Sequence, residues 1–364
     1  NEPSELTEKA RLNAIRRSKK AKPSYNNIYL AVGIFGGLMA LIFGIMILNP
    51  EPLRQHKPVF DDGIIEALNS KGATYGRNDH FDGWNYGNAE LILKSSISEA
   101  AQMSSPCETL FNEGEIVPTN YDLREHWPAC IEPVAFQGNC SSAYALTAAS
   151  MLSERFCIKS GGEVMVSLSA QDILSCDPKS KACEGGNIDE VWGNIKDMGI
   201  VDSQSFPYSA ADYQSPTCEE RSNGRTYKIT QNCVTATEAG VMREIKKNGP
   251  VITAIPVYTD FLAYKQGIYK PNVIADKLST AHAVEIIGWG TEPETNENYW
   301  IIKNSWGTGW GEEGYGRVKR GELQLEGLVV AASPWIEQYQ PSEPTLETVT
   351  DLKTEQIDEV SLDA

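Results

Sequence analysis

Hydrophobic and polar positions divide this chain into stretches of different character. Residues 28–48, IYLAVGIFGGLMALIFGIMIL, form an uncharged apolar run, long enough to cross a bilayer as a helix. Further along, residues 235–249, TATEAGVMREIKKNG, read as a helix that stops at an Asn-Gly-Pro turn signal. The stretches PVITAIPVY (250–258), AVEIIGW (283–289) and NYWIIKNSW (298–306) are rich in β-branched and aromatic residues and are separated by glycine-rich turns, as strands are. After Gln340 the chain is polar, acidic and free of aromatics. Such a tail cannot bury enough apolar surface to offset its ordering entropy. Helices and strands of this kind predict an α+β domain.

Charge gives the apolar run a direction. Arg11, Arg16, Arg17, Lys19, Lys20 and Lys22 precede it, so the short arm 1–27 is expected to stay inside and everything after Pro50 to be translocated. A signal-peptide core would be shorter and end at a small-residue cleavage site, whereas Asn49-Pro50 follows here. Gly36, Ala40 and Gly44 recur every fourth residue in the run, a stripe that lets a partner helix approach closely. The net charge of −17 excludes nonspecific nucleic-acid binding, which needs a cationic surface.

Eight cysteines, at 107, 130, 140, 157, 176, 183, 218 and 233, occupy the middle of the chain. Their even number and wide spacing point to disulfides formed in an oxidising compartment. A zinc site is the weaker reading: there is no CxxC pair, and none of the four histidines lies near a cysteine cluster. No cofactor is expected.

Separated motifs carry the chemistry. QGNCSSAYAL (137–146), CEGGN (183–187), TAHAVEIIGWG (280–290) and YWIIKNSWGTGWGEEGYGRVKRG (299–321) occur in that order, with VPTNYDLREHWPAC (117–130) at the start of the domain and EIKKNGPVITAIPVYTDFLAYKQGIYK (244–270) between. Over about 117 to 334 these resemble the papain family of cysteine peptidases, and within it cathepsin B. The resemblance implies a two-lobe fold, one lobe mainly helical with a central helix starting near Ser142 and the other β-barrel-like, with a cleft between them. It gives Gln137 the role of side-chain oxyanion donor, His282 that of general base, and Asn304 that of orienting the His282 ring. Trp306 shields the pair, and Gly185 and Gly186 form the strip that pairs with a peptide's main chain. It further implies the disulfides Cys130–Cys157, Cys140–Cys183 and Cys176–Cys218. Cys107 and Cys233 are left either to join the N-terminal segment to the second lobe or to remain free. Cathepsin B's insertion with paired histidines is absent, because FPYSAADYQSPTCEERSNGRTYK (206–228) passes directly to the second lobe.

The family pattern reads QGSCGSCWAF where this chain has QGNCSSAYAL, so Ala143 stands at the position of the reactive cysteine. A methyl group cannot become a thiolate or form a thioester. Asn139, Ser141, Tyr144 and Leu146 depart as well, as drift after loss of the chemistry predicts. The chain therefore reads as a basic arm (1–27), a membrane helix (28–48), a proregion-like segment (51–116), a papain-like domain (117–336) and an acidic tail (337–364). The leading expectation is an inactive, membrane-anchored pseudopeptidase that serves as a structural subunit of a membrane assembly, with partners at the Gly36–Ala40–Gly44 stripe and the tail. One alternative is a peptide-binding or inhibitor-like module using the retained cleft. Another is an active endopeptidase disarmed by a Cys-to-Ala change at 143. Whether the protein's own proregion fills the cleft separates the first two.

The compartment rests on two features. The layout of arm, anchor, proregion and domain resembles membrane-anchored proteases of secretory and endolysosomal routes. Against that, the one N-x-S/T acceptor, Asn139-Cys140-Ser141, is expected to be buried, and a processed end at Asn1 would point to the mitochondrial inner membrane with the domain facing the intermembrane space.

Overall fold

The computed structural model describes residues 54–69, 73–107, 117–214, 217–222 and 224–336. The chain divides into Asn1–Lys57 and Pro58–Ala364, and the folded domain lies in the second unit. Among the described residues no helix is long and apolar enough to cross a membrane. The run 28–48 with Gly36, Ala40 and Gly44, and the tail 337–364, lie outside the described residues.

The segment before the domain forms two short helices, α1 (Asp62–Leu68) and α2 (Tyr86–Leu91). Asp61 caps α1 by accepting from the Ile64 N–H, and Asn85 with Asn88 closes a reciprocal capping box on α2. A two-residue strand, β1 (Ser95–Ser96), follows. Phe60, Leu68, Tyr75, Phe81, Tyr86, Ile92 and Leu93 of this segment are buried in the same hydrophobic core as the sheet of the second lobe. The proregion-like segment is thus part of the core.

The first lobe is built around α3 (Ala143–Lys159). It is buried on almost every side, the mark of a central helix. The charged residues it carries inside are compensated: Arg155 pairs with Glu244 at 2.9 Å and donates to the Pro250 and Gly249 carbonyls, and Glu154 pairs with Lys303. Against α3 pack α4 (Ala170–Cys176) and, on the far side of the Gly185 turn, the two-residue strand β2 (Gly186–Asn187); α5 (Val191–Asp197) follows and packs on the strand Ile229–Thr235.

The second lobe is an eight-stranded, mainly antiparallel sheet. Its order runs from Ile268–Tyr269 through Tyr315–Lys319, Asn298–Lys303, Lys277–Thr291, Val251–Tyr258 and Val329–Pro334 to Ile229–Thr235, and the eighth strand, Tyr121–Asp122, pairs with Lys277–Thr291 off this path. In chain order these become β3 (Ile229–Thr235), β4 (Val251–Tyr258), β5 (Lys277–Thr291), β6 (Asn298–Lys303), β7 (Tyr315–Lys319) and β8 (Val329–Pro334). The predicted 235–249 helix is α6 (Glu238–Asn248). Thr237 caps its start, Lys246 and Lys247 sit in its last turn, and Gly249 leaves it at φ 101°.

Four disulfides join all eight cysteines: Cys130–Cys157, Cys140–Cys183, Cys176–Cys218 and Cys107–Cys233. The last ties the end of the proregion-like segment to β3. Backbone bonds from Cys107 N–H to the Val234 carbonyl (2.9 Å) and from Val234 N–H to the Ser105 carbonyl (3.0 Å) reinforce it.

Candidate functional site: a filled peptide cleft

Position 143 is the first residue of α3, wholly buried, and its side chain is a methyl. The hydroxyls beside it are engaged elsewhere. Ser142 shares a 2.7 Å bond with the Tyr208 hydroxyl, and Ser141 accepts from the Lys94 N–H at 2.9 Å. Cys140 is spent in its bond to Cys183. No side chain in this turn offers a free nucleophile.

The opposite wall is complete. β5 carries His282, fully buried, and β6 delivers Asn304 just beyond its end. His282 Nε2 lies 2.8 Å from Asn304 Oδ1, which also accepts from the Ser305 N–H at 2.8 Å. Because Oδ1 is thereby an acceptor, Nε2 carries the proton of the neutral ring. Nδ1 is left as an unprotonated lone pair with no protein partner. Burial pushes the His282 imidazole down to about 4; the Asn304 bond opposes this and His80 adds to it. Trp306 stacks on the ring at 4.5 Å between centroids and is itself buried among Phe81, Phe261 and Trp310. Behind Asn304, Lys303 sits between Glu154 and Glu285. Burial raises the Glu154 carboxyl pKa and Glu285 raises it further, against the pull of Lys303.

Gln137 stands between the two walls. Its Oε1 accepts from Ser305 Oγ at 2.9 Å, which aims its amide nitrogen at the Cys140 carbonyl (2.8 Å) and the Ile92 carbonyl (3.0 Å). The amide assigned to an oxyanion is therefore bound to a carbonyl of the chain's own proregion-like segment.

That segment runs through the cleft as an extended strand. β1 pairs in parallel with β2, Ser95 opposite Gly186 and Ser96 opposite Asn187. Gly186 N–H donates to the Lys94 carbonyl at 3.2 Å, and Lys94 bridges to Ala281 on the other wall. At Gly185, φ is +98° and an added Cβ would stand 2.2 Å from the Lys94 carbonyl oxygen, so only glycine permits the approach. The strand is held at both ends. Upstream, Glu90 accepts from the Ser279 N–H and hydroxyl. Downstream, Asp189 accepts from the Ser98 N–H and hydroxyl. Over His282 and Trp306 the same segment adds a lid of His80, Phe81 and Trp84. His80 is nine-tenths buried, its Nε2 has no protein partner, and burial pushes it down to about 4.

The structure thus brings Gln137, Ala143, Gly185, Gly186, His282, Asn304 and Trp306 to one cleft lined by the prosegment. Cys107 and Cys233, unassigned in the sequence, are bonded to each other. Among the described residues the one metal-like cluster is Cys107, Cys233 and Glu244, whose sulfurs are already joined. One reading is corrected. Asn139, expected to be buried, is exposed, because the turn at Gly138 (φ +62°) swings it outward while Cys140 and Ser141 point in. Ser141 and Tyr144, which depart from the family pattern, have partners: Ser141 grips Lys94, and Tyr144 packs under Gly186 and bonds the Ser180 hydroxyl at 2.5 Å. Ile92, Lys94, Glu90 and Asp189 carried no sequence signal, since a two-residue strand has no periodicity to read.

The profile described as Papain family cysteine protease matches residues 117–333. A curated relative, tubulointerstitial nephritis antigen-like of Rattus norvegicus, is 30% identical over 318 residues, 76% of this chain and 68% of that protein. Among solved structures, procathepsin B S9 from Trypanosoma congolense superposes with a TM-score of 0.70 at 28% identity, over 77% of this chain and 100% of that one. Procathepsin L 3 of the Tenebrio molitor larval midgut gives a TM-score of 0.61 at 21% identity, over 74% and 86%.

Proposed function

This chain belongs to the papain family of cysteine proteases, and on that footing we propose that it is a catalytically silent member, a pseudopeptidase held in its proform-like state that serves as a structural and interaction subunit. One observation carries the reading: the peptide cleft is filled by the chain's own strand, with the Ile92 carbonyl on the Gln137 amide, in front of a position 143 that has no nucleophile. Covalent acyl transfer needs a thiolate within reach of the base, and His282 Nδ1 faces no group it could deprotonate. The same filling argues against a peptide-binding module, because a ligand would have to displace a strand that is both hydrogen-bonded and covalently tied.

For the remainder of the chain the reading is a single-pass anchor at 28–48, partners at Gly36, Ala40 and Gly44, and further contacts through the tail 337–364. The supports are the uncharged length of the run, its small-residue stripe and the low apolar content of the tail. The full chain, incubated with epoxide and vinyl-sulfone probes, is expected to carry no label at 137–146 and to leave peptide amides uncut. Labelling there would overturn the silent reading. The anchor reading expects resistance to alkaline extraction from membranes. The subunit reading expects Ala40→Leu, and separately removal of 341–364, to weaken co-purification; a monomer unaffected by either would remove it.

A further inference from the structure

The turn that presents Gln137 also carries the chain's one N-x-S acceptor, Asn139-Cys140-Ser141. Its middle and last residues are fully buried, Cys140 in a disulfide and Ser141 on Lys94. Asn139 is exposed, and its backbone N–H is fixed to the Ala211 carbonyl at 2.7 Å. Its side-chain amide makes no hydrogen bond among the described residues. Asn139 stands on the rim of a groove of about 440 Å³ between α2 and the first lobe. Trp84, Leu91, Ile92 and Tyr213 line it with Asn88 and Lys94, and Leu91 and Tyr213 are each more than half exposed. Large apolar side chains gathered in an open groove mark a surface that something covers.

We propose that Asn139 carries an N-linked glycan whose first sugars lie along this groove. The acceptor motif supplies the site. Four disulfides among the described residues belong to the oxidising lumen in which such transfer occurs. The groove supplies the fit: the C–H faces of a sugar ring pack on the Trp84 and Tyr213 rings, while its hydroxyls meet Asn88 and the solvent edge. In the transfer, the Asn139 amide nitrogen attacks the anomeric carbon of a polyprenyl-diphosphate-linked oligosaccharide. The new C–N bond forms, the bond to the diphosphate oxygen breaks with its electron pair, and one amide proton is lost. Recognition of the Ser141 hydroxyl requires it to be accessible, so transfer precedes closure of Cys140–Cys183 and docking of Lys94. The glycan then covers the seam between prosegment and lobe, and its presence puts the domain in the secretory lumen, not the intermembrane space.

The test is glycopeptide mass spectrometry on the full chain purified from its own cells, before and after peptide N-glycosidase. The expected result is one glycan at Asn139, lost on enzymatic release, abolished in Asn139→Gln and retained in Ser141→Thr. An unmodified Asn139 in the folded, disulfide-bonded protein overturns the proposal. Its groove half is read separately by hydrogen exchange. Release of the glycan from the folded protein should raise exchange at Asn88, Leu91 and Tyr213 several-fold and leave β5 unchanged. A glycan whose removal changes none of these overturns the placement along the groove.

Discussion

The two walls of the cleft have fared differently. The wall of His282, Asn304 and Trp306 matches the family pattern, whereas the stretch 139–146 departs from it at Asn139, Ser141, Ala143, Tyr144 and Leu146. Apart from Asn139, both walls are buried, and they differ in what their side chains hold. His282, Asn304 and Trp306 are embedded in the sheet and in one aromatic cluster with Phe81, Phe261 and Trp310. Removing any of them opens a cavity or strands a polar partner, whatever the chemistry. On the other wall Ala143 offers only a methyl, while Ser141 accepts from Lys94 of the filler and Tyr144 packs under Gly186. A retained histidine and asparagine are therefore poor witnesses to catalysis when the fold itself needs them.

The largest test of this contrast is Trp306→Ala. Truncating a buried indole should cost roughly 3 to 5 kcal/mol, read by denaturant unfolding of the intact chain. A loss under about 1 kcal/mol would mean that this wall is kept for something other than packing.

Next comes acid sensitivity. His282 and His80 are both held at about 4 by burial, below the usual 6.5 of a free imidazole. The unfolded chain thus binds more protons between those values, so their contribution is present above pH 6.5 and is lost as pH falls towards 4. Each contributes on the order of 3 kcal/mol at most. Glu154 acts in the opposite sense, since its raised pKa makes stability fall as pH rises. The difference between wild type and His80→Phe cancels that effect, and the variant should lose visibly less stability between pH 6.5 and 4. Equal losses would place His80 outside the packed lid.

A smaller effect is expected on the other wall. Ser141→Ala, compared with Asn139→Gln so that both chains lack the N-x-S motif, removes the acceptor of the Lys94 N–H and should weaken the filler by about 1 kcal/mol, read as roughly five-fold faster hydrogen exchange at Lys94 with β5 unchanged. The smallest is Ala143→Cys. The new thiol should stay almost unlabelled by an epoxide probe in the intact chain, because the Ile92 carbonyl holds the Gln137 amide and the prosegment covers the cleft. Rapid labelling would show a cleft that opens readily.

Much of this was legible in the sequence, and the physical reason is specific. α6 and strands β4 to β6 announce themselves by capping residues, β-branched runs and turn signals, and Gln137, His282, Asn304 and Trp306 stand in motifs of recognisable order. What stayed hidden is held by single contacts between distant segments. Lys94 meets Ser141 across 47 positions; the sequence left Cys107 and Cys233 either joined or free, and the structure joins them across 126. Neither bond leaves a period or a propensity. The orientation of Asn139 depends on one positive φ at Gly138, and no pattern of neighbours reports it.

The Cys107–Cys233 bond has a further meaning when the filler is regarded as a ligand. The strand at Lys94 lies thirteen positions before its anchor at Cys107, so its effective concentration at the cleft is on the order of millimolar. A free peptide of equal intrinsic affinity present at micromolar levels would hold the site about one time in a thousand. Because the anchor is a sulfur bridge to β3 and not only the peptide chain, a cut within 108–116 would leave that ratio unchanged. A cut within 108–116 therefore frees the filler only when the bridge is reduced as well.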